Sequence, residues 1–464
     1  MRKLSLVAIF ALVTACVPTD DAQVTKARPP APAGDEVSQP ALAFVANPAF
    51  ASLPSATGRG NTAVATDFID LTFAMESGRP LHSFSRFEHT VTIALSGDVP
   101  PTAAEEMSRL ITRFRKEAGI DVRAAAPGET ASITVTFGPK AELHRLAPTA
   151  ACFVVPNVTS IADYKARRGT PAIDWTNVVQ RQHVGIFVPS DASPQEVRDC
   201  LNEETAQAMG PLNDLYRLPD SVFNDDNFQS VLTPFDMLIL RAYYSPDLHS
   251  GMSRDQVAAL IPGIIDRLNP AGIGKGGNID TSQTTKAWKS AIETALGAGG
   301  GQGTRRTAAD RALMIARAQG WTDGRLAFSH FAIARLYVGS DRALAVDEFT
   351  RAAEIYRRLP GAAIQVAHIE MQLAALAVAA GEPQKALALA DSAIPVVRAG
   401  QNYALLATVQ LIKAEALEIL GRNAEADALR VDSQQWARYG FGSDAQVRAR
   451  TREIAALGAR GTRG

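Results

Sequence analysis

The sequence is short of the residues that most enzymes need. It has three cysteines and seven histidines in 464 residues. No two histidines stand three or four positions apart, so no imidazole pair can face one metal from successive helical turns. No G-x-S-x-G is present to mark an activated serine. The glycine-rich string Gly272-Ile273-Gly274-Lys275-Gly276-Gly277 has neither the phosphate-loop nor the dinucleotide spacing, and reads as a loop. No cofactor is called for. The charges nearly cancel, with 47 basic against 48 acidic residues and no basic block, which excludes a nucleic-acid partner. Beyond the first sixteen positions no uncharged apolar run is long enough to span a bilayer. The 46% of hydrophobic residues can still fill proper cores, and the length suits two or three domains.

The chain opens with Arg2, Lys3 and a short apolar run that ends in Val13-Thr14-Ala15-Cys16. That ending resembles the lipobox of bacterial lipoproteins. The resemblance implies a signal peptide over 1–15, acylation of Cys16 and a membrane partner through that lipid anchor. An ordinary secretory signal with an incidental cysteine is the alternative. Val17 stands where an inner-membrane retention signal would place Asp, which leans toward the outer membrane and a periplasm-facing chain. Residues 16–63 are rich in Pro, Ala and charge and are expected to be a disordered tether. In an oxidising compartment Cys152 and Cys200 are expected to pair, closing a loop that stabilises by roughly 2–4 kcal/mol.

From residue 64 the periodicity turns regular. Strands are expected at 89–95, 131–138, 151–156 and 183–190, with a helix over 102–119. Ser193-Pro194-x-Glu196 opens another helix, with Ser193 as N-cap, which stops at Gly210-Pro211. Residues 256–304 are expected to be a helical segment ending in the flexible linker "GAGGGQG". Residues 305–464 are helical and repeat: Gly339, Gly381 and Gly421 are 42 and 40 residues apart, each followed by an alanine-rich helix. These pairs resemble tetratricopeptide repeats, whose small residues let helices approach closely. The implied partner is an envelope protein or peptide in the repeat groove. An ordinary helical bundle is the rival reading. The expected fold class is α+β for 64–255, followed by an all-α repeat domain.

The helix "CLNEETAQAMGPLND" keeps the spacing of a zinc-protease motif without its histidines. Glu203 and Gln207 occupy the two imidazole positions and Glu204 the position of the base. Gly210 and Asn213 stand at the turn and at the third ligand. "DSVFND" then resembles the segment beneath a metzincin site, with Phe223 in place of methionine. Residues 64–255 resemble a domain-of-unknown-function family (number 2927) of bacterial lipoproteins and secreted proteins. The resemblance rests on Cys200, Glu203, Glu204, Gln207, Gly210, Asn213, Asp214, the Ser221–Asp225 turn and the Tyr244–Met252 tail. It implies a zincin-like scaffold and brings no activity. A glutamine amide is a poor zinc ligand, so no zinc site is expected. The oxygen donors of Glu203, Asn213, Asp214 and Asp225 suit a harder cation. Glu204 is the one candidate general base, for a divergent peptidase or amidase acting on envelope protein or cell wall. The contrasting expectation is a self-satisfied network of Glu203, Glu204, Gln207, Asn213, Asp214, Asn224 and Asp225. The leading functional reading is a binding or scaffolding protein.

Overall fold

The structure is a computed structural model that describes residues 59–148, 150–275, 280–297 and 299–461. The expected signal peptide, Cys16 and nearly all of the tether lie outside the described residues. Helix α1 (Asn61–Thr72) already begins within the span read as tether. Its Asn61 exchanges hydrogen bonds with Asn269 beyond the last helix of the α/β part: Nδ2 donates to the Asn269 carbonyl at 3.0 Å, and Asn269 Nδ2 donates back at 2.9 Å.

The α/β part runs β1 (Val91–Gly97), α2 (Ala103–Glu117), β2 (Val122–Ala124), β3 (Ile133–Gly138), α3 (Lys140–Leu146), β4 (Phe153–Pro156), α4 (Ile161–Arg167), β5 (Val184–Pro189), α5 (Pro194–Met209), α6 (Pro234–Tyr243) and α7 (Arg254–Leu268). The strands form one sheet in the order β2-β1-β3-β5-β4. All pairs are parallel except β4 with β5. A parallel neighbour needs a crossover, which α2 supplies between β1 and β2. β5 lies inside the sheet and all its residues are buried, which explains its unbroken apolar run. Met107, Leu110 and Phe114 of α2, Val197 and Leu201 of α5, and Ile261 and Ile264 of α7 join the sheet in one core. The α+β reading and the strand positions hold.

The second half is wholly helical: α8 (Lys286–Leu296), α9 (Gln302–Ala318), α10 (Gly324–Tyr337), α11 (Arg342–Arg357), α12 (Ala363–Ala379), α13 (Pro383–Ala399), α14 (Tyr403–Ile419), α15 (Asn423–Phe441) and α16 (Asp444–Gly461). Successive helices pair as α10–α11, α12–α13 and α14–α15. Ala345, Ala386 and Ala426, the matching small residues of the outer helices, are each fully buried at these contacts. The glycine-rich stretch at 297–303 has helices packed together on either side of it. It joins α8 to α9, which pack on each other in the same core through Ala291, Ala295, Ala309 and Ala312.

The two halves are joined by the chain's own loops. The segment between α5 and α6 carries Phe228 into the helical half. There its ring meets Phe331 at 5.2 Å, Phe328 at 5.9 Å and His368 at 4.7 Å. Gln365 of α12 donates to the Pro219 carbonyl at 2.7 Å. Farther along, Gln195 of α5 donates to Asn402 Oδ1 at 3.0 Å, and Tyr439 donates to Glu106 at 2.6 Å. Helix α16 lies against α12 and α14, where Ile454 and Leu457 are buried. The inner helices α10, α12 and α14 are therefore covered along much of their length by residues of this same chain.

Candidate functional site

Helix α5 is fixed at both ends and at its first turns. Ser193 Oγ accepts from Glu196 N at 3.2 Å while Glu196 Oε2 accepts from Ser193 N at 2.8 Å, a complete capping box. Cys200 is joined to Cys152 at the start of β4, with the Cα atoms 6.0 Å apart, so the expected disulfide is present. At the far end the buried Arg181 guanidinium donates to the carbonyls of Gln207 and Ala208, each at 2.7 Å, and also to that of Gly210. A favourable charge is thereby set at the negative end of the helix dipole. A Cβ at Gly210 would sit 3.0 Å from Leu240 Cδ2, so a larger residue there would make the Leu240 side chain give way by a few tenths of an ångström.

After α5 the chain is pinned to α1. Asn213 Nδ2 donates to the Asp70 carbonyl at 2.8 Å, and Arg217 bonds Asp67 and Asp70, each at 2.8 Å. Glu76, in the loop after α1, donates its main-chain N–H to the Leu212 carbonyl at 3.0 Å. Leu215 N donates to the Phe223 carbonyl at 2.9 Å, which brings the 221–225 turn alongside. The outcome is a convergence of carboxylates. One oxygen from each of Glu76, Asp214 and Asp225 lies within 4.8 Å of the others. Glu203 and Glu204 of α5 face the same group.

These side chains do not form the expected self-satisfied network. Glu204 is 5% exposed and its Oε2 has no hydrogen-bond partner; Asp214 is 2% exposed and its Oδ1 has none. The half-buried Gln207 bonds Arg181 through its main-chain carbonyl alone. The turn at 221–225 is held instead by Asp236, which accepts from Ser221 Oγ at 2.5 Å, Val222 N at 3.2 Å and Thr233 N at 2.7 Å. Asn224 also bonds locally, donating to the Leu218 carbonyl at 2.8 Å and to Asp226 at 2.9 Å. The physical reason is partner choice: main-chain groups, Arg181 and Asp236 had already filled the bonding positions that the motif residues were expected to use.

The electrostatics follow from burial among like charges. Burial, then Asp225 and Glu76, push the Glu203 carboxyl up to about 8. Burial and Glu76 push Asp225 up to about 7, against the opposing pull of Lys289. Burial and Glu203 hold Glu204 well above the carboxylate range, and burial, Asp225 and Glu203 do the same to Asp214. The cation facing the group is Lys289 of α8, whose Nζ donates to the Glu76 carbonyl at 3.3 Å.

Glu76 was invisible to sequence reasoning, because it lies far upstream in a loop without periodicity. Arg181 was missed for the same reason. Asn213 is not part of the convergence, since its amide turns to Asp70, and the third carboxylate of the group comes from Glu76. His249 is exposed beside Ser250 and stays apart. The oxygen-only set Glu76, Asp214 and Asp225 suits a hard cation; zinc sites draw on nitrogen and sulfur.

No curated protein and no solved structure matches the chain. Residues 61–263, which hold the sheet, the motif helix and the converging carboxylates, match the family described as "Protein of unknown function (DUF2927)".

Proposed function

We infer that the chain is a tethered, non-catalytic binding protein of the bacterial cell envelope, built on a zincin-like scaffold that has lost its hydrolytic chemistry. One observation carries the reading: the carboxylate at the base position of the motif, Glu204, is 5% exposed and its charged neighbours are the carboxylates Glu203 and Glu76. A general base must reach a substrate proton, and an oxyanion needs positive charge or N–H donors beside it. The order strand, helix, sheet, motif helix, turn and closing helix supports the zincin-like ancestry. The paired helices with their buried alanines support tetratricopeptide-like repeats. The lipobox-like run ending at Cys16 supports lipidation and the outer membrane.

An envelope protein or peptide remains the proposed partner of the helical half. Because α12 and α14 already carry α16, that partner engages the outer helices α11, α13 and α15 or displaces α16. Crosslinking capture from envelope extracts, with the full chain and with Ile454→Asp, tests this. Stronger capture by the variant supports displacement, and equal capture supports the outer helices. Absence of any captured envelope component from both chains contradicts the binding reading. The catalytic alternative is tested with casein-derived peptides and purified cell wall. No turnover is expected; turnover lost in a folded Glu204→Gln chain would overturn the non-catalytic reading.

A further inference from the structure

Four segments of chain deliver carboxylates to one place. Glu76 comes from the loop after α1, Glu203 and Glu204 from α5, Asp214 from the irregular segment beyond it, and Asp225 from the following turn. Their placement is enforced by main-chain bonds, Glu76 N to the Leu212 carbonyl and Leu215 N to the Phe223 carbonyl. Like charges held this close repel unless something offsets them. Lys289 brings a single positive charge and spends a bond on the Glu76 carbonyl.

A second observation points to a missing partner. Asp214 belongs to the converging set, is 2% exposed, and has an oxygen with no hydrogen-bond partner. Buried polar atoms of this kind call for a ligand, because leaving them unmade is costly. The donors are all carboxylate oxygens. Their mutual distances, within 4.8 Å, are no more than twice a Ca²⁺–oxygen bond of roughly 2.4 Å. Mg²⁺ would need a shorter, octahedral shell made mostly of water. Glu76 is exposed and Asp225 half-buried, so an ion can enter without unfolding and water can complete its shell.

We propose that Glu76, Asp214 and Asp225 bind one Ca²⁺ ion, with Glu203 as the neighbouring carboxylate that balances its charge. The ion ties the loop after α1 to the turn that leads Phe228 into the helical half, so its binding strengthens the junction of the two halves. The site does not depend on the non-catalytic reading.

The test is calorimetric titration of the EDTA-treated full chain with CaCl₂, alongside melting curves. One site is expected, with Kd on the order of 10⁻⁴ M or tighter, together with a higher melting temperature. Glu76→Gln, at an exposed position that tolerates substitution, weakens binding at least tenfold. Asp214→Asn melts higher than the wild type without Ca²⁺ and gains nothing from it. Glu105→Gln, an exposed carboxylate elsewhere, behaves as the wild type. No heat and no melting shift at millimolar Ca²⁺ would overturn the site, as would full binding by Glu76→Gln. Equal binding of Mg²⁺ would overturn the assignment to Ca²⁺.

Discussion

Replacing Phe228 with alanine tests whether the helical half is truly built around a loop of the α/β half. The ring is 4% exposed and sits among Phe328, Phe331, Tyr356 and His368, with centroid distances from 4.7 to 6.3 Å. Truncating a buried phenylalanine costs about 3–5 kcal/mol, the transfer term plus the cavity left behind. Each lost aromatic pair adds about 0.5–1.5 kcal/mol to what its area explains, which places Phe228 toward the upper end. The assay is urea unfolding followed by tryptophan fluorescence and by helical dichroism. Trp288 and Trp321 are buried in the same core that Phe228 enters. The unfolding midpoint should fall, and the helical signal should be lost at lower urea than in the parent chain. Val431→Ala, at a 68% exposed position, serves as control and should stay within about 0.5 kcal/mol. A loss below about 1 kcal/mol for Phe228→Ala would refute the reasoning, since a ring in that setting cannot be removed so cheaply.

Paired Cys152→Ser and Cys200→Ser substitutions should cost about 4 kcal/mol, from the chain entropy of a 48-residue separation, measured by urea unfolding without reductant; non-reducing peptide mapping that recovers free thiols from the parent would contradict the pairing. In EDTA the folded carboxyls of Asp225 and Glu203 hold protons up to about 7 and about 8, where the unfolded chain has lost them. Stability is therefore complete below the ordinary carboxylate range and falls as pH rises through 7 to 8. Glu203→Gln should flatten that fall, and melting temperatures across the range check it. Arg181→Met leaves the carbonyls of Gln207, Ala208 and Gly210 without their donor, and should cost at least about 2 kcal/mol in the same unfolding assay.

Much of the scaffold was legible because local rules and tertiary structure agree. The alternation in "ASITVTFG" gave β3, and Ser193, Pro194 and Glu196 gave the start of α5 with its capping box. The regular glycines marked real turns: Gly381 and Gly421 adopt φ values of 73° and 72°, which a side chain would strain. What escaped was everything decided by distant neighbours. "GAGGGQG" has the composition of a free linker, yet the helices on either side pack together, and composition does not report which flanking faces meet. Phe228 stands in a loop of Asn and Asp and shows no pattern; only the assembled fold gives it four aromatic neighbours. At the site Asp214 and Asp225 meet Glu76, while Asn213, Asn224 and Gln207 bond elsewhere. That depended on Asp236 and Arg181 taking the turn and the helix end, and on one bond from Glu76 to Leu212.

Whether the carboxylates meet at a single ion is read most directly by anomalous diffraction from crystals of the full chain grown with CaCl₂. A peak is expected among Glu76, Asp214 and Asp225, with oxygens at roughly 2.3–2.6 Å. A water in that place, or the Lys289 ammonium, with Glu76 and Asp225 turned apart, would contradict it.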